Sequence, residues 1–241
     1  MKRFTGHKEE WGTFIDIRKN IAEVLTKQMK SSVWKGEQIY IGTVTDPYQS
    51  LESTYGLTRK ILTILSGYDN LVNILTKSDA VLRDIDILKK MKRVNVNITV
   101  STLDEEWKNH TEPHSPSIAQ RLEAMKTLSR EGISVIALVG PYWPVFTDSE
   151  ALFHVFKEAG VEEVMSESLN VVGGNWTGVE IVLKEYYPHM YQSMRDIFFN
   201  KHSFSQFYNR ARGDIERAAQ KYDIPVTAYF GIGYAKKFGK Q

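Results

Sequence analysis

Cysteine is absent from all 241 residues. Nothing these residues build unaided can therefore contain a disulfide, a thiol nucleophile, a zinc–thiolate site or a thiolate-held iron–sulfur cluster. Excess charge is also missing. The 31 Lys and Arg stand against 29 Asp and Glu, so no bulk electrostatic pull toward nucleic acid or an anionic membrane is expected. Long apolar runs are lacking as well. ISVIALVG at residues 133–140 is among the longest and falls far short of the roughly 20 residues that a membrane-spanning helix needs. The basic opening MKRFTGHKEE leads into no apolar segment of the signal-peptide kind. With 42% hydrophobic and 25% charged residues, the expectation is a cytoplasmic globular protein whose core needs neither disulfide nor structural metal.

What is present is an alternation of short β-rich runs with helical patterns. Ile17, Ile21, Val24, Leu25 and Met29 predict a helix over 15–30. EQIYIGTVTDPYQ reads as a strand running into a loop, and residues 51–65 as a helix with Leu57, Ile61, Leu62 and Leu65 on one face. NLVNILTKS is the next strand. Asp79 is placed to cap the helix DAVLRDIDILKKMKR, whose basic last turn suits its dipole. The β-branched VNVNITVST is a third strand. Ser115-Pro116-Ser117 opens the helix SIAQRLEAMKTLSREG, which stops at Gly132. ISVIALVGPYWP follows as a strand. TDSEALFHVFKEAG then repeats the pattern, with Thr147 and Glu150 at capping-box spacing and Gly160 as the stop. VEEVMSES is a fifth strand. From residue 38 to 168 this order implies right-handed crossovers and a parallel sheet, and an open doubly wound sheet and a barrel both fit it. Beyond NVVGGNWTG, residues 176–200 and 204–222 are predicted as two long aromatic-rich helices, before a last strand IPVTAYF and a basic tail.

Parallel α/β folds place ligands at the carboxyl ends of their strands. The residues there are Thr45-Asp46-Pro47-Tyr48-Gln49, Thr76-Lys77-Ser78-Asp79, Ser101-Thr102, Gly140-Pro141-Tyr142-Trp143 and Ser166-Glu167-Ser168. Together they form a polar and aromatic ring, although each member has a structural alternative as a cap or turn. His110 and His114 in HTEPH are separated by Pro113, which argues against one helical face and hence against a zinc motif. The GIG at 231–233 meets the chain end, not a helix, and GGNW reads as a turn. FFNKHSFSQFYNRAR interleaves aromatics with Lys201, Arg210 and Arg212; core aromatics beneath a solvated basic face outweigh base stacking as its reading.

The words IGTVTDPYQSLE, ILTKSDAVLRDIDIL, ITVSTLDEEW…TEPHSPSIAQRLEAM and LVGPYWP…TD, in that order and spacing, resemble the radical S-adenosylmethionine proteins of the spore photoproduct lyase type, also described as DNA repair photolyase-like. The likeness runs from about Thr5 to Asp148. It implies a partial (β/α)6 TIM-like barrel, here lacking its first strand, over residues 1–170, with a C-terminal helical extension over 171–241 packed on it. It implies S-adenosylmethionine and a [4Fe–4S] cluster as cofactors, reductive cleavage to a 5′-deoxyadenosyl radical, and nucleic acid as the partner class that the family labels suggest. Carried over residue by residue, Lys77 matches a contact to the methionine carboxylate, Ser101 a position near the ribose and methionyl part, and Gly140 a backbone position close to the adenine. Asp46 and Tyr48 belong to TDPYQ and are expected to face the same mouth. No catalytic residue and no metal ligand is assigned. In the family RFTGH follows the last cysteine of a CxxxCxxC motif, yet here it occupies residues 3–7. The first strand and the cysteines are thus expected before Met1. The chain alone is expected to lack catalysis and to expose an apolar strand edge at 38–42. A cluster-free nucleotide- or nucleic-acid-binding relative is the alternative.

Overall fold

The computed structural model describes residues 6, 9, 13–171 and 175–231. Most of RFTGH, the two glycines of GGNW, the last two residues of GIG and the basic tail lie outside them. Six parallel strands form one sheet: β1 (Ile39–Ile41), β2 (Val72–Thr76), β3 (Val94–Thr99), β4 (Ser134–Val139), β5 (Glu163–Glu167) and β6 (Val226–Tyr229). Their spatial order is β1-β2-β3-β4-β5-β6, every pair parallel. This order decides between the two architectures left open by the sequence. A doubly wound sheet reverses direction at a switch point. Here each crossover steps to the next strand the same way, as in a partial TIM-like barrel.

The strands alternate in chemistry. Val72, Ile74, Val96, Ile98, Val135, Ala137 and Val164 are at most 0% exposed, and the strand register aligns them on one face. The other face carries Asn73, Asn95, Asn97 and Thr99 on β2 and β3. Asn95 Nδ2 donates to Asn73 Oδ1 at 3.1 Å and Asn97 Nδ2 to the Ile74 carbonyl at 3.2 Å. The period of two therefore separates a helix-covered apolar face from an interior face on which these amides and hydroxyls are interspersed with Leu75, Leu138 and Met165.

Local chemistry moves several helix boundaries. Helix α1 (Ile21–Gln28) begins later than the spacing predicts, after a turn closed by Lys19 N on Ile17 O. Gly56, at φ 57°, splits residues 51–65 into α2 (Glu52–Tyr55) and α3 (Leu57–Leu65). The Glu52 carboxylate then accepts from the Thr58 and Arg59 amides at the start of α3. Ser78, not Asp79, caps the next segment by accepting from Ala80 N. That segment is a 3-10 turn over Asp79–Asp84 leading into α4 (Ile85–Leu88), which ends before the basic KKMKR. Asp104 caps α5 (Glu105–Thr111), a helix the alternation did not reveal. Helix α6 (Ile118–Arg130) carries a full capping box between Ser117 and Gln120. At α7 (Ser149–Glu158) the N-cap is Asp148, whose carboxylate accepts from Ala151 N. Thr147 is occupied elsewhere, and Glu150 reaches Lys221.

The predicted 176–200 helix is interrupted at Pro188, which cannot donate into a helical ladder. It becomes α8 (Asn175–Tyr186) and α9 (Tyr191–Phe199); α10 (Lys201–Tyr222) follows, capped by Asn200. Helix α10 packs on α7 and α9 and returns the chain to the sheet as β6. One hydrophobic cluster runs from Met29 to Phe230 and includes Val135, Val164, Phe198, Tyr208 and Ile215. Among the described residues, no helix is long and apolar enough to cross a membrane.

Candidate functional site

Register assembles the site. Leu75 aligns with Asn97, Thr99 with Leu138 and Leu138 with Met165. Val100 N continues the ladder onto Leu138 O. Following the alternation past the strand ends sets Lys77, Ser101, Gly140 and Glu167 on the interior face, in the order β2, β3, β4, β5, at the carboxyl ends. Three of the five residues singled out from sequence thus share one mouth.

Asp46 braces that mouth. Its Oδ1 accepts from Thr76 Oγ1 at 2.7 Å and from Tyr48 N at 2.9 Å, and its Oδ2 accepts from Lys77 N at 2.7 Å. The carboxylate thereby ties the loop after β1 to the end of β2. The loop leaves β1 through Gly42, at φ 96°, where a Cβ would lie 2.2 Å from the Leu75 carbonyl oxygen. Tyr48 is directed differently. It is buried, and its hydroxyl donates to Asp84 at 3.1 Å. Asp84 is itself held by Arg59 and Arg83, so Tyr48 supports the loop from beneath. Burial and the neighbouring Asp84 charge raise the phenol far above its ordinary range, keeping it a donor.

Lys77 Nζ lies 2.6 Å from Glu112 Oε1, and the other oxygen of Glu112 meets Arg121 Nη2 at 2.6 Å. Arg121, at 2% exposure, also donates to Thr99 O at 2.9 Å, to Pro116 O at 3.1 Å and to the Ser115 hydroxyl. Burial raises the Glu112 carboxyl, but the Lys77 and Arg121 charges and hydrogen bonds outweigh it and hold the group below the ordinary carboxylate range. Two cations thus share one anion. Of the two, Lys77 is the more accessible, its side chain being 39% exposed. Sequence reasoning gave Glu112 and Arg121 no role. The legible signal was Arg121 itself, standing on the buried stripe of α6 between Ile118 and Met125, where an arginine requires a partner.

Ser101 is buried and its Oγ has no hydrogen-bond partner. Its carbonyl accepts from Thr147 Oγ1 at 2.7 Å, which in turn accepts from Trp143 N at 2.8 Å. Thr147 therefore couples the ends of β3 and β4. At Gly140 an added Cβ would stand 2.9 Å from Glu167 Cγ, so the carboxyl arm of Glu167 crosses bare backbone. Glu167 has no side-chain hydrogen bond or ion pair among the described residues. It is solvent-accessible yet crowded by protein atoms, as expected on a concave wall, and this desolvation raises its carboxyl above the ordinary range.

Aromatic rings cluster around the segment after β4. Trp107 stacks on Phe146 at 3.9 Å and meets Trp143 edge-on at 5.2 Å. His110 stacks on Tyr186 at 3.8 Å. Phe198 and Tyr208 of the aromatic–basic segment are spent in the core. Among the described residues, no group of three or more His, Asp or Glu side chains is arranged to hold a metal ion.

S-adenosylmethionine fits this donor set: a partly exposed ammonium, an unpartnered buried hydroxyl and a glycine crossed only by the flexible arm of Glu167 share one face. A [4Fe–4S] cluster does not fit, because these residues include no thiolate.

No family model matches the chain. Spore photoproduct lyase, in a structure with bound AdoMet and dinucleoside spore photoproduct, superposes with a TM-score of 0.61 at 12% identity, covering 86% of this chain and 65% of that one. That likeness establishes the fold. Protein ORF301 of Acidianus two-tailed virus is 30% identical over 185 residues, 73% of this chain and 60% of the viral protein. Protein MJ0683 of Methanocaldococcus jannaschii is 30% identical over 217 residues, 90% of this chain and 77% of the archaeal protein. At that identity and coverage, the chain belongs to the family of the archaeal protein MJ0683.

Proposed function

We propose that the mouth at the carboxyl ends of β2 to β5 binds S-adenosylmethionine, on a barrel of the radical S-adenosylmethionine type. The observation that carries this reading is the alignment of Lys77, Ser101 and Gly140 on one face, with the Lys77 side chain partly exposed there. In this reading Lys77 pairs with the methionyl carboxylate as a flexible ammonium donor. The Ser101 hydroxyl, otherwise unpartnered, hydrogen-bonds the ribose or methionyl part, and Gly140, lacking a side chain, lets the adenine approach the backbone once the flexible arm of Glu167 swings aside. Asp46 keeps Lys77 in register through its backbone amide. Support comes also from spore photoproduct lyase, which shares the fold and has been solved with AdoMet bound.

S-adenosylmethionine supplies an activated sulfonium. Its reductive cleavage to a 5′-deoxyadenosyl radical requires a reducing cluster that these residues do not hold, so no reaction step is assigned to them. Calorimetric titration tests the binding proposal. The expected result is saturable, one-to-one binding of S-adenosylmethionine, and absence of binding by any adenosyl compound would overturn it. The thiolate-free donor set also favours a second reading, a cluster-free nucleotide- or nucleic-acid-binding protein. It requires tighter binding of ATP or single-stranded DNA than of S-adenosylmethionine, with DNA affinity falling as salt rises.

A further inference from the structure

We infer that Glu112 is a positioning residue: it aims the Lys77 ammonium at the mouth and so sets how strongly the site reads a carboxylate on its ligand. The inference rests on the S-adenosylmethionine reading and goes beyond it by naming what makes Lys77 selective. A lysine on a four-carbon stem is a poor reader by itself, because ordering it against a ligand costs rotamer entropy. Here it is ordered in advance. Its backbone amide is held by Asp46 at 2.7 Å and its ammonium by Glu112 at 2.6 Å. Glu112 is fixed in turn by Arg121, and Arg121 by the Thr99 carbonyl at the end of β3. A continuous chain of fixed contacts thus runs from the β3 backbone to the ammonium at the end of β2. An ammonium has three donors. One is committed to Glu112, which leaves the others for a ligand anion. Glu112 is shared between two cations and so is not committed to Lys77 alone.

The ligand pair that isolates this effect is S-adenosylmethionine and decarboxylated S-adenosylmethionine, which differ only in the group Lys77 would read. Binding of both is measured calorimetrically to the wild-type chain and to Glu112→Gln, Glu112→Asp and Lys77→Met. Glutamine keeps an acceptor for Arg121, whose bonds to Thr99, Pro116 and Ser115 also remain. Aspartate keeps the charge but draws the carboxylate one methylene back from Lys77. The expected wild-type preference for the carboxylated ligand is about ten- to hundredfold, the range of one hydrogen bond between charged groups. Lys77→Met abolishes it. Glu112→Gln and Glu112→Asp each lower it by at least about threefold while leaving the affinity for the decarboxylated ligand nearly unchanged. An unchanged preference in both Glu112 variants, an equal loss of both ligands, or failure of both to fold would overturn the inference and leave Glu112 a part of the fold alone. Failure of the wild-type chain to bind either ligand would remove the S-adenosylmethionine reading together with it.

Discussion

At the scale of single residues, two carboxyl groups on the same mouth are pushed in opposite directions. Glu112 lies below the ordinary range because it holds Lys77 and Arg121; Glu167 lies above it because it is desolvated without a partner. Their contributions to stability have opposite pH signs. Glu112 stabilises the fold fully above the unfolded carboxyl value of about 4.3. That stability is lost as pH falls through the lower folded value. Chemical unfolding at a series of pH values is therefore expected to show the wild type losing stability below about pH 4.3 more steeply than Glu112→Gln. Ionised Glu167 costs stability at neutral pH, and the cost vanishes once it is protonated in both states. Glu167→Gln should raise Tm near pH 7, with the gain fading on acidification. Gly140→Ala is a separate prediction. Its Cβ would meet Glu167 Cγ at 2.9 Å, the end of a flexible arm and not fixed backbone. The variant should stay within about 1 kcal/mol of wild-type stability. It should also bind S-adenosylmethionine on the order of tenfold more weakly, as read by thermal unfolding and calorimetry together. The placement of Lys77, Ser101 and Gly140 just past strand ends was legible in the sequence, because they follow strands in recognisable words. Tyr48 was legible only as a member of TDPYQ; its orientation toward Asp84 depends on a contact 36 positions along the chain, which no local pattern encodes.

At the scale of elements, caps decide the differences between pattern and structure. The Thr147–Glu150 spacing fits a capping box, but Thr147 is drawn onto the Ser101 carbonyl and the Trp143 amide. Asp148 therefore takes the cap one residue later. Asp148→Ala should cost about 1 kcal/mol in urea unfolding. Glu150→Ala, on an exposed side chain paired with exposed Lys221, should stay within about 0.5 kcal/mol. The reverse ranking would return the cap to Thr147 and Glu150. Helix α5 went unread because the alternation of strands and helices was already satisfied without it, although Asp104 followed by Glu105 and Glu106 is a legible start. Helices α8 and α9 read as one because their aromatic spacing continues across Pro188, and the break is a backbone effect that side-chain periodicity does not register.

At the scale of the whole molecule, the alternation of elements revealed the parallel sheet but could not order its strands. That order depends on crossovers packing the same way each time, which appears only in the assembled register. The C-terminal segment is expected as a helical extension over 171–241 with a last strand at IPVTAYF; that strand is β6 and joins the sheet beside β5, and Tyr208 and Ile215 lie in the same core as Val135 on β4. A continuous core predicts one cooperative unfolding transition. Ile215→Ala, in α10, should lower that single transition by about 2–5 kcal/mol, with no separate early step. Two resolved transitions by circular dichroism and fluorescence would instead mark an independent extension. The proposed binding of S-adenosylmethionine to this mouth depends most directly on Lys77. Titration of the wild-type chain and Lys77→Met side by side should give saturable one-to-one heats for the first and an affinity at least about tenfold lower for the second. No binding by the wild-type chain, or equal binding by both proteins, would contradict it.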